Sequence, residues 1–232
     1  MKRYEIRRTM TAGLGLAALM TGLAAQAGVV YLGTPPTSVE PGALEHDDTI
    51  YVFEEKTTTV GAGDSITVDE LDPAVETTYD QSNTGTNASL PTGTTLRSYY
   101  VHFDPIGTPT AEVGAGTYAF PHEVKAFVWF DSSASDTGGL LDETDPVFGL
   151  GAVTYPTHPG TELAFRGVVE GETYDNVVLD SDGRTVSFDF RAARSTDAMR
   201  VLTTIPEPTA ALLLLLGGAG LQNRRKPPRY AR

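Results

Sequence analysis

The stretch Ser98-Tyr99-Tyr100-Val101-His102-Phe103-Asp104 sets bulky apolar side chains at every second position. A strand sends successive side chains to opposite faces. Tyr99, Val101 and Phe103 therefore share one face, and Tyr100, His102 and Asp104 share the other, with His102 expected on the solvent side. Residues 124–130 carry apolar bulk on both faces, Val124, Ala126, Val128 and Phe130 against Lys125, Phe127, Trp129 and Asp131. That strand is expected to be central or aromatic-faced. Residues 185–190 alternate cleanly, Val186, Phe188 and Phe190 inward and Thr185, Ser187 and Asp189 outward. They follow residues 176–179 across Asp180-Ser181-Asp182-Gly183, whose Asp-Gly pair supplies the positive backbone dihedrals of a tight hairpin.

Further strands are expected at 49–53, 65–68 and 199–203. Between them, 80–93 and 132–139, rich in Ser, Thr, Asn and Gly, read as exposed loops. No long stretch between the two ends of the chain places apolar residues at helical spacing. Short strands at this spacing predict an all-β fold, an antiparallel β-sandwich of jelly-roll-like form. A signal helix is expected before it and a hydrophobic helix after it.

The two ends differ in character from the middle. Lys2, Arg3, Arg7 and Arg8 precede an apolar run over 12–25, which closes on Ala25-Gln26-Ala27. A basic start, a short apolar core and small residues at the cut form a secretory signal peptide, with cleavage after Ala27. Residues 1–27 are thus the signal peptide, 28–204 one extracytoplasmic domain, and 205–232 a separate C-terminal segment. Arg7-Arg8 also raises the twin-arginine route, which exports folded proteins, although Ile6, Thr9 and Met10 fit that signal poorly.

At the other end, Ile205-Pro206-Glu207-Pro208-Thr209 leads into an apolar run over 210–221, followed by Arg224, Arg225 and Lys226. The two prolines keep the motif extended and out of any β-ladder. The basic cluster holds its end on the cytoplasmic side. This three-part tail resembles the PEP-CTERM sorting signal, and the resemblance covers only the end of the chain. It implies that a membrane enzyme of the exosortase type reads Pro206, Glu207 and Pro208 and cuts near them. The apolar run would rise only ~18 Å as a helix, short of a ~30 Å hydrocarbon core. Membrane insertion is therefore expected to be transient, in the inner membrane, before delivery to the cell surface or the extracellular space. Residues 98–104 and 200–203 also resemble segments of other PEP-CTERM-tailed proteins, which adds weight to a sandwich.

Most of the basic residues lie in the ends, so 28–204 holds 8 basic against 28 acidic residues, a net of −20. Such a surface repels phosphate backbones and anionic headgroups, which disfavours a nucleic-acid partner. Cations or neutral sugars suit it better, while solvated carboxylates alone would also account for it. Cysteine is absent, which excludes disulfides, thiolate metal sites and a cysteine nucleophile.

Gly63-Asp64-Ser65-Ile66 resembles the opening block of the GDSL hydrolases, in which the serine is the nucleophile. That family also carries a late Asp-x-x-His, and no such spacing follows His102 here. A serine without its base is a poor nucleophile. The Gly63-Asp64 pair reads instead as a turn. His46, His102, His122 and His158 are scattered without metal-ligand spacing. Asp131, Asp136, Asp142, Glu143 and Asp145 supply the hard oxygen ligands calcium prefers, without the spacing of a calcium loop, so calcium is the one candidate cofactor. Trp129 and Phe127, with Tyr99 and Tyr100, are candidates for stacking on a sugar ring, and core packing is the alternative.

No complete catalytic motif is present, and the expectation is a non-enzymatic surface or secreted protein. As the resemblance implies, its role would be structural or adhesive in extracellular polysaccharide or biofilm matrix. The alternatives are a calcium-dependent glycan-binding module and a carbohydrate-active or esterase-type hydrolase.

Overall fold

The computed structural model describes residues 28–64, 66–80, 83–107, 112–129, 140–156, 175–192 and 196–205. The strands in chain order are β1 (Val29–Leu32), β2 (Ile50–Thr59), β3 (Thr67–Val68), β4 (Glu70–Leu71), β5 (Thr78–Tyr79), β6 (Ala88–Ser89), β7 (Thr95–Phe103), β8 (Glu112–Ala119) and β9 (Val124–Val128). Helix α1 (Leu140–Phe148) follows, then β10 (Asn176–Leu179), β11 (Thr185–Ala192) and β12 (Asp197–Thr204). Among the described residues the fold is all-β with one short helix. The signal peptide, including Ala25 and Ala27, and the tail with Pro206, Glu207, Pro208, Arg224, Arg225 and Lys226 lie outside the described residues.

The strands form a six-stranded sheet in the order β1-β2-β7-β12-β9-β4, a four-stranded sheet β5-β10-β11-β8 and a two-stranded sheet β3-β6. The expected hairpin is present: Asn176 pairs with Asp189 and Leu179 with Val186. Its turn is held by Asp182, whose Oδ1 accepts the Arg184 and Thr185 amides at 2.8 and 2.7 Å, while Gly183 takes φ +67°. Purely antiparallel pairing is corrected at one edge, where β1 runs parallel to β2 with Val29 opposite Ile50. Seventeen residues separate the two strands, long enough for the crossover that a parallel pair requires.

One apolar cluster fills the space between the large sheets. It takes Ile50 and Val52 from β2, Tyr99, Val101 and Phe103 from β7, and Met199 and Val201 from β12. Val177, Val186, Phe188 and Phe190 meet them from the four-stranded sheet. A second cluster covers the other face of the six-stranded sheet, where Phe53, Leu96, Tyr100, Val128 and Leu202 pack against Leu141 and Phe148 of α1. Fully burying each such side chain contributes roughly 1.5–3 kcal/mol. β7 and β12 therefore lie in a middle layer, buried on both faces, whereas β11 alternates between buried and half-buried residues.

This layering keeps the parity read for 98–104 and corrects the solvent side. His102 is fully enclosed. It also explains α1, which the sequence reading left out. Leu141, Thr144 and Phe148 are its buried residues, at helical spacing. Asp142 and Glu143 complement the dipole in its first turn. Pro146 removes one internal donor from a helix of nine residues. Alone such a helix is marginal, so packing holds it.

Candidate functional site

The densest polar chemistry among the described residues lies between α1 and the six-stranded sheet. Arg200, at the middle of β12, is fully buried, as is the side chain of Glu55 on β2. The guanidinium donates through Nε and Nη2 to the two Glu55 oxygens at 2.7 and 2.9 Å. Its remaining donors reach Asp145 Oδ1 at 2.7 Å, Thr144 Oγ1 at 2.5 Å and the Leu141 carbonyl at 3.1 Å. Tyr100 and Tyr155 present ring faces to the same guanidinium at 5.6 and 5.8 Å. Ser98 Oγ adds a 2.5 Å hydrogen bond to Glu55 Oε2.

Every donor of Arg200 is thus engaged, and the group has no free valence for a ligand. It ties β2 and β12 to α1. Burial raises the Asp145 carboxyl to about 6, partly offset by Arg200, because two carboxylates share one cation. The Arg200 guanidinium is itself held further charged by Glu55 and Asp145 against its burial. Arg200 makes a bidentate pair with Glu55 and a single contact to Asp145, whose side chain keeps 23% exposure.

Beside this lock lies a cleft of about 310 Å³ lined by Gly63, Asp64, Thr67, Glu143, Thr144 and Val147. It sits at the Gly63-Asp64 block that resembles a hydrolase motif. The block is a turn: Asp64 Oδ2 accepts the Gly61 amide at 2.7 Å, and Gly63 takes φ +106°. Ser65 lies outside the described residues. No described histidine lines the cleft. His46 pairs with Asp48 at 2.8 Å, His102 is enclosed in the sheet layer, and His158 lies outside the described residues. The rim can offer the Asp64 and Glu143 carboxylates to a cation or to hydroxyls, and among the described residues no histidine stands beside them.

The proposed sugar platform is corrected. Trp129 and Phe127 are both fully buried in the inter-sheet core. Trp129 packs against Tyr79 and Phe127 with ring centres 5.4 and 5.5 Å apart, and its Nε1 donates to the Thr84 carbonyl at 3.1 Å. Asp69 Oδ2 accepts its backbone amide at 2.6 Å. The loop expected to be exposed over 80–93 thus helps enclose the indole, and Leu90 within it is buried. Tyr99 and Tyr100 are enclosed as well.

Of the candidate calcium ligands, Asp131 and Asp136 lie outside the described residues. Asp142, Glu143 and Asp145 fall on α1, where Asp145 is committed to Arg200. Among the described residues no group of three or more His, Asp or Glu side chains is placed to hold a metal ion. Likewise, no described helix is long and apolar enough to cross a membrane. The sequence reading missed Arg200 and Glu55 because a lone Arg and a lone Glu, 145 residues apart, carry no joint signal. Compared with known proteins, the chain matches no family model, no curated protein and no solved structure.

Proposed function

We propose that the chain is an exported protein passed through the inner membrane to the cell surface or extracellular space. An exosortase-type membrane enzyme would act at Pro206-Glu207-Pro208. Residues 28–204 would then serve as a non-enzymatic structural or adhesive β-sandwich of jelly-roll-like form, in extracellular polysaccharide or biofilm matrix. What carries the reading is the bracketing of the fold by two processing signals. β1 starts at Val29, two residues after Ala27, and β12 ends at Thr204, two residues before Pro206.

Three further observations support it. The acidic balance of 28–204 disfavours nucleic acid and anionic membrane as lasting partners. The densest polar cluster is saturated by its own partners, as suits a scaffold. The candidate stacking residues Trp129, Phe127, Tyr99 and Tyr100 are spent on the core. Mass spectrometry of the mature protein from its host tests the reading, with an N-terminus at Gly28 and a C-terminus near 205–208 expected. An intact chain retaining Arg224, Arg225 and Lys226 on a stable membrane protein would refute the processing.

A further inference from the structure

The sandwich closes on one side where the terminal strands of its two large sheets meet, β1 from the six-stranded sheet and β8 from the four-stranded one. Their backbones come close there. Gly28 takes φ +110°, and a Cβ built on it would stand 1.8 Å from the Ala115 carbonyl oxygen on β8. Further along, Tyr31 lays its ring on that of Tyr118, with centres 5.8 Å apart and planes 15° from parallel. Tyr31 is 43% exposed, and Tyr118 is half-buried against the inter-sheet core. Two phenols thus face each other across the seam between the sheets, one of them open to reagents in solvent. β1 is held to β2 by four residue pairs, so the seam opens more readily than the interior of either sheet.

A phenol that loses one electron and one proton becomes a phenoxyl radical, with spin density on the carbons ortho to the oxygen. Two such radicals in contact join through those carbons, and the two ortho hydrogens then move to the oxygens to restore both phenols. With hydrogen peroxide as oxidant, two tyrosines and one peroxide give one carbon–carbon bond between the rings and two waters. We propose that Tyr31 and Tyr118 are the site of such an oxidative cross-link, which staples β1 to β8 across the sandwich. The oxidant is hydrogen peroxide used by a haem peroxidase. The Glu54 carboxylate lies near enough to act on both hydroxyls and is a local acceptor for the released protons.

Position selects this pair. Tyr79, Tyr99 and Tyr100 are at most 2% exposed, which shields them from the oxidant. Tyr118 has ring contacts with Tyr31 and Phe120, so a radical there meets one other phenol. Tyr100 and Tyr155 also touch, yet edge to face at 64°. The Arg200 guanidinium lies over both of those rings, where its charge opposes the loss of an electron. The chain has ten tyrosines and no cysteine, so a covalent tie between its sheets cannot be a disulfide. The bond itself needs only the described fold. Its formation in the host rests on the export reading, since the cytoplasm is reducing, and that reading stands or falls separately on the mature ends of the chain.

The test treats the full chain, dilute and in detergent micelles, with a haem peroxidase and a limited dose of hydrogen peroxide. Gel filtration isolates the monomer, and peptide mass spectrometry locates the link. The expected product is a monomer two hydrogens lighter with Tyr31 joined to Tyr118. It should be at least about tenfold more abundant than any other link between tyrosines of residues 31–155, because contact supplies a high effective concentration. Tyr31→Phe and Tyr118→Phe keep the stacked ring and should each abolish the link, whereas Tyr155→Phe should leave it unchanged. In urea the same treatment should spread links over many tyrosines. The linked chain should unfold at higher urea than the untreated one, as a chain closed by a disulfide does. A monomer without the link between Tyr31 and Tyr118, the same preference in urea, or an unmoved urea midpoint overturns the proposal.

Discussion

Replacing Arg200 with methionine keeps an unbranched apolar stem and removes the charge together with five hydrogen bonds. The Glu55 carboxylate then stays in a site with no exposed side-chain surface, keeping the Ser98 hydroxyl. Removing one partner of a buried ion pair costs about 3–5 kcal/mol, since the other charge is left without compensation. A domain of this size has roughly 5–15 kcal/mol of total stability. At about 2–4 °C per kcal/mol, the melting temperature should fall by roughly 6–20 °C. Replacing both members, Arg200→Met with Glu55→Met, removes the stranded charge and should recover most of the loss. Asp145, partly exposed, can then turn to water. Urea unfolding followed by Trp129 fluorescence gives the free energies, and amide exchange over 140–148 shows whether α1 loosens first. A single variant that loses less than about 1 kcal/mol, as a solvent-exposed pair would, refutes the lock. So does a double variant as unstable as the two singles summed.

His102 is enclosed with neither ring nitrogen hydrogen-bonded, and burial lowers its pKa from 6.5 to about 4. Its neutral form is the folded one, so stability is full above pH 6.5 and declines as pH falls toward 4. There the loss reaches about 3 kcal/mol. The difference between wild type and His102→Leu, measured in urea at pH 7, 5.5 and 4, should open by that amount, and parallel curves would contradict it. Asp145 acts with the opposite sign. Its raised value stabilises the fold below 3.8 and is lost as pH rises through about 6. Asp145→Asn should therefore cost least above pH 6, and a variant worst at pH 7 would show that the ion pair outweighs burial there. Finally, Gly114→Ala places a Cβ 2.7 Å from the Phe103 ring, whereas Gly33→Ala meets open space. The first should lose ~1–3 kcal/mol by overpacking and the second almost nothing, as differential scanning calorimetry would read. Equal melting points would mean that β8 shifts freely.

Much of the fold was legible because strand periodicity is local. The alternation in β7 and β11 and the Asp-Gly turn before β11 each act within a few residues, and each appears as read. The solvent side of His102 was misread because two-fold alternation gives parity and not exposure. Whether the second face is wet depends on what else packs there. α1 escaped notice because its three buried positions are interrupted by Pro146 and by acidic residues. The spacing of Leu141, Thr144 and Phe148 was its only trace. Trp129 and Phe127 look alike as core or as platform from sequence, and the loop carrying Thr84 decides between them by covering the indole.

Taken by itself, the chain's order of residues determines the β character of 28–204, its acidic balance, the absence of cysteine chemistry and the expectation of processing at both ends. These depend on composition and short spacings. The tertiary structure alone decided that the six-stranded sheet is a middle layer and that Arg200 meets Glu55 and Asp145. It also placed Gly28 against Ala115. Those pairings join residues dozens to well over a hundred positions apart, and only the packing of sheets and helix brings them within bonding distance.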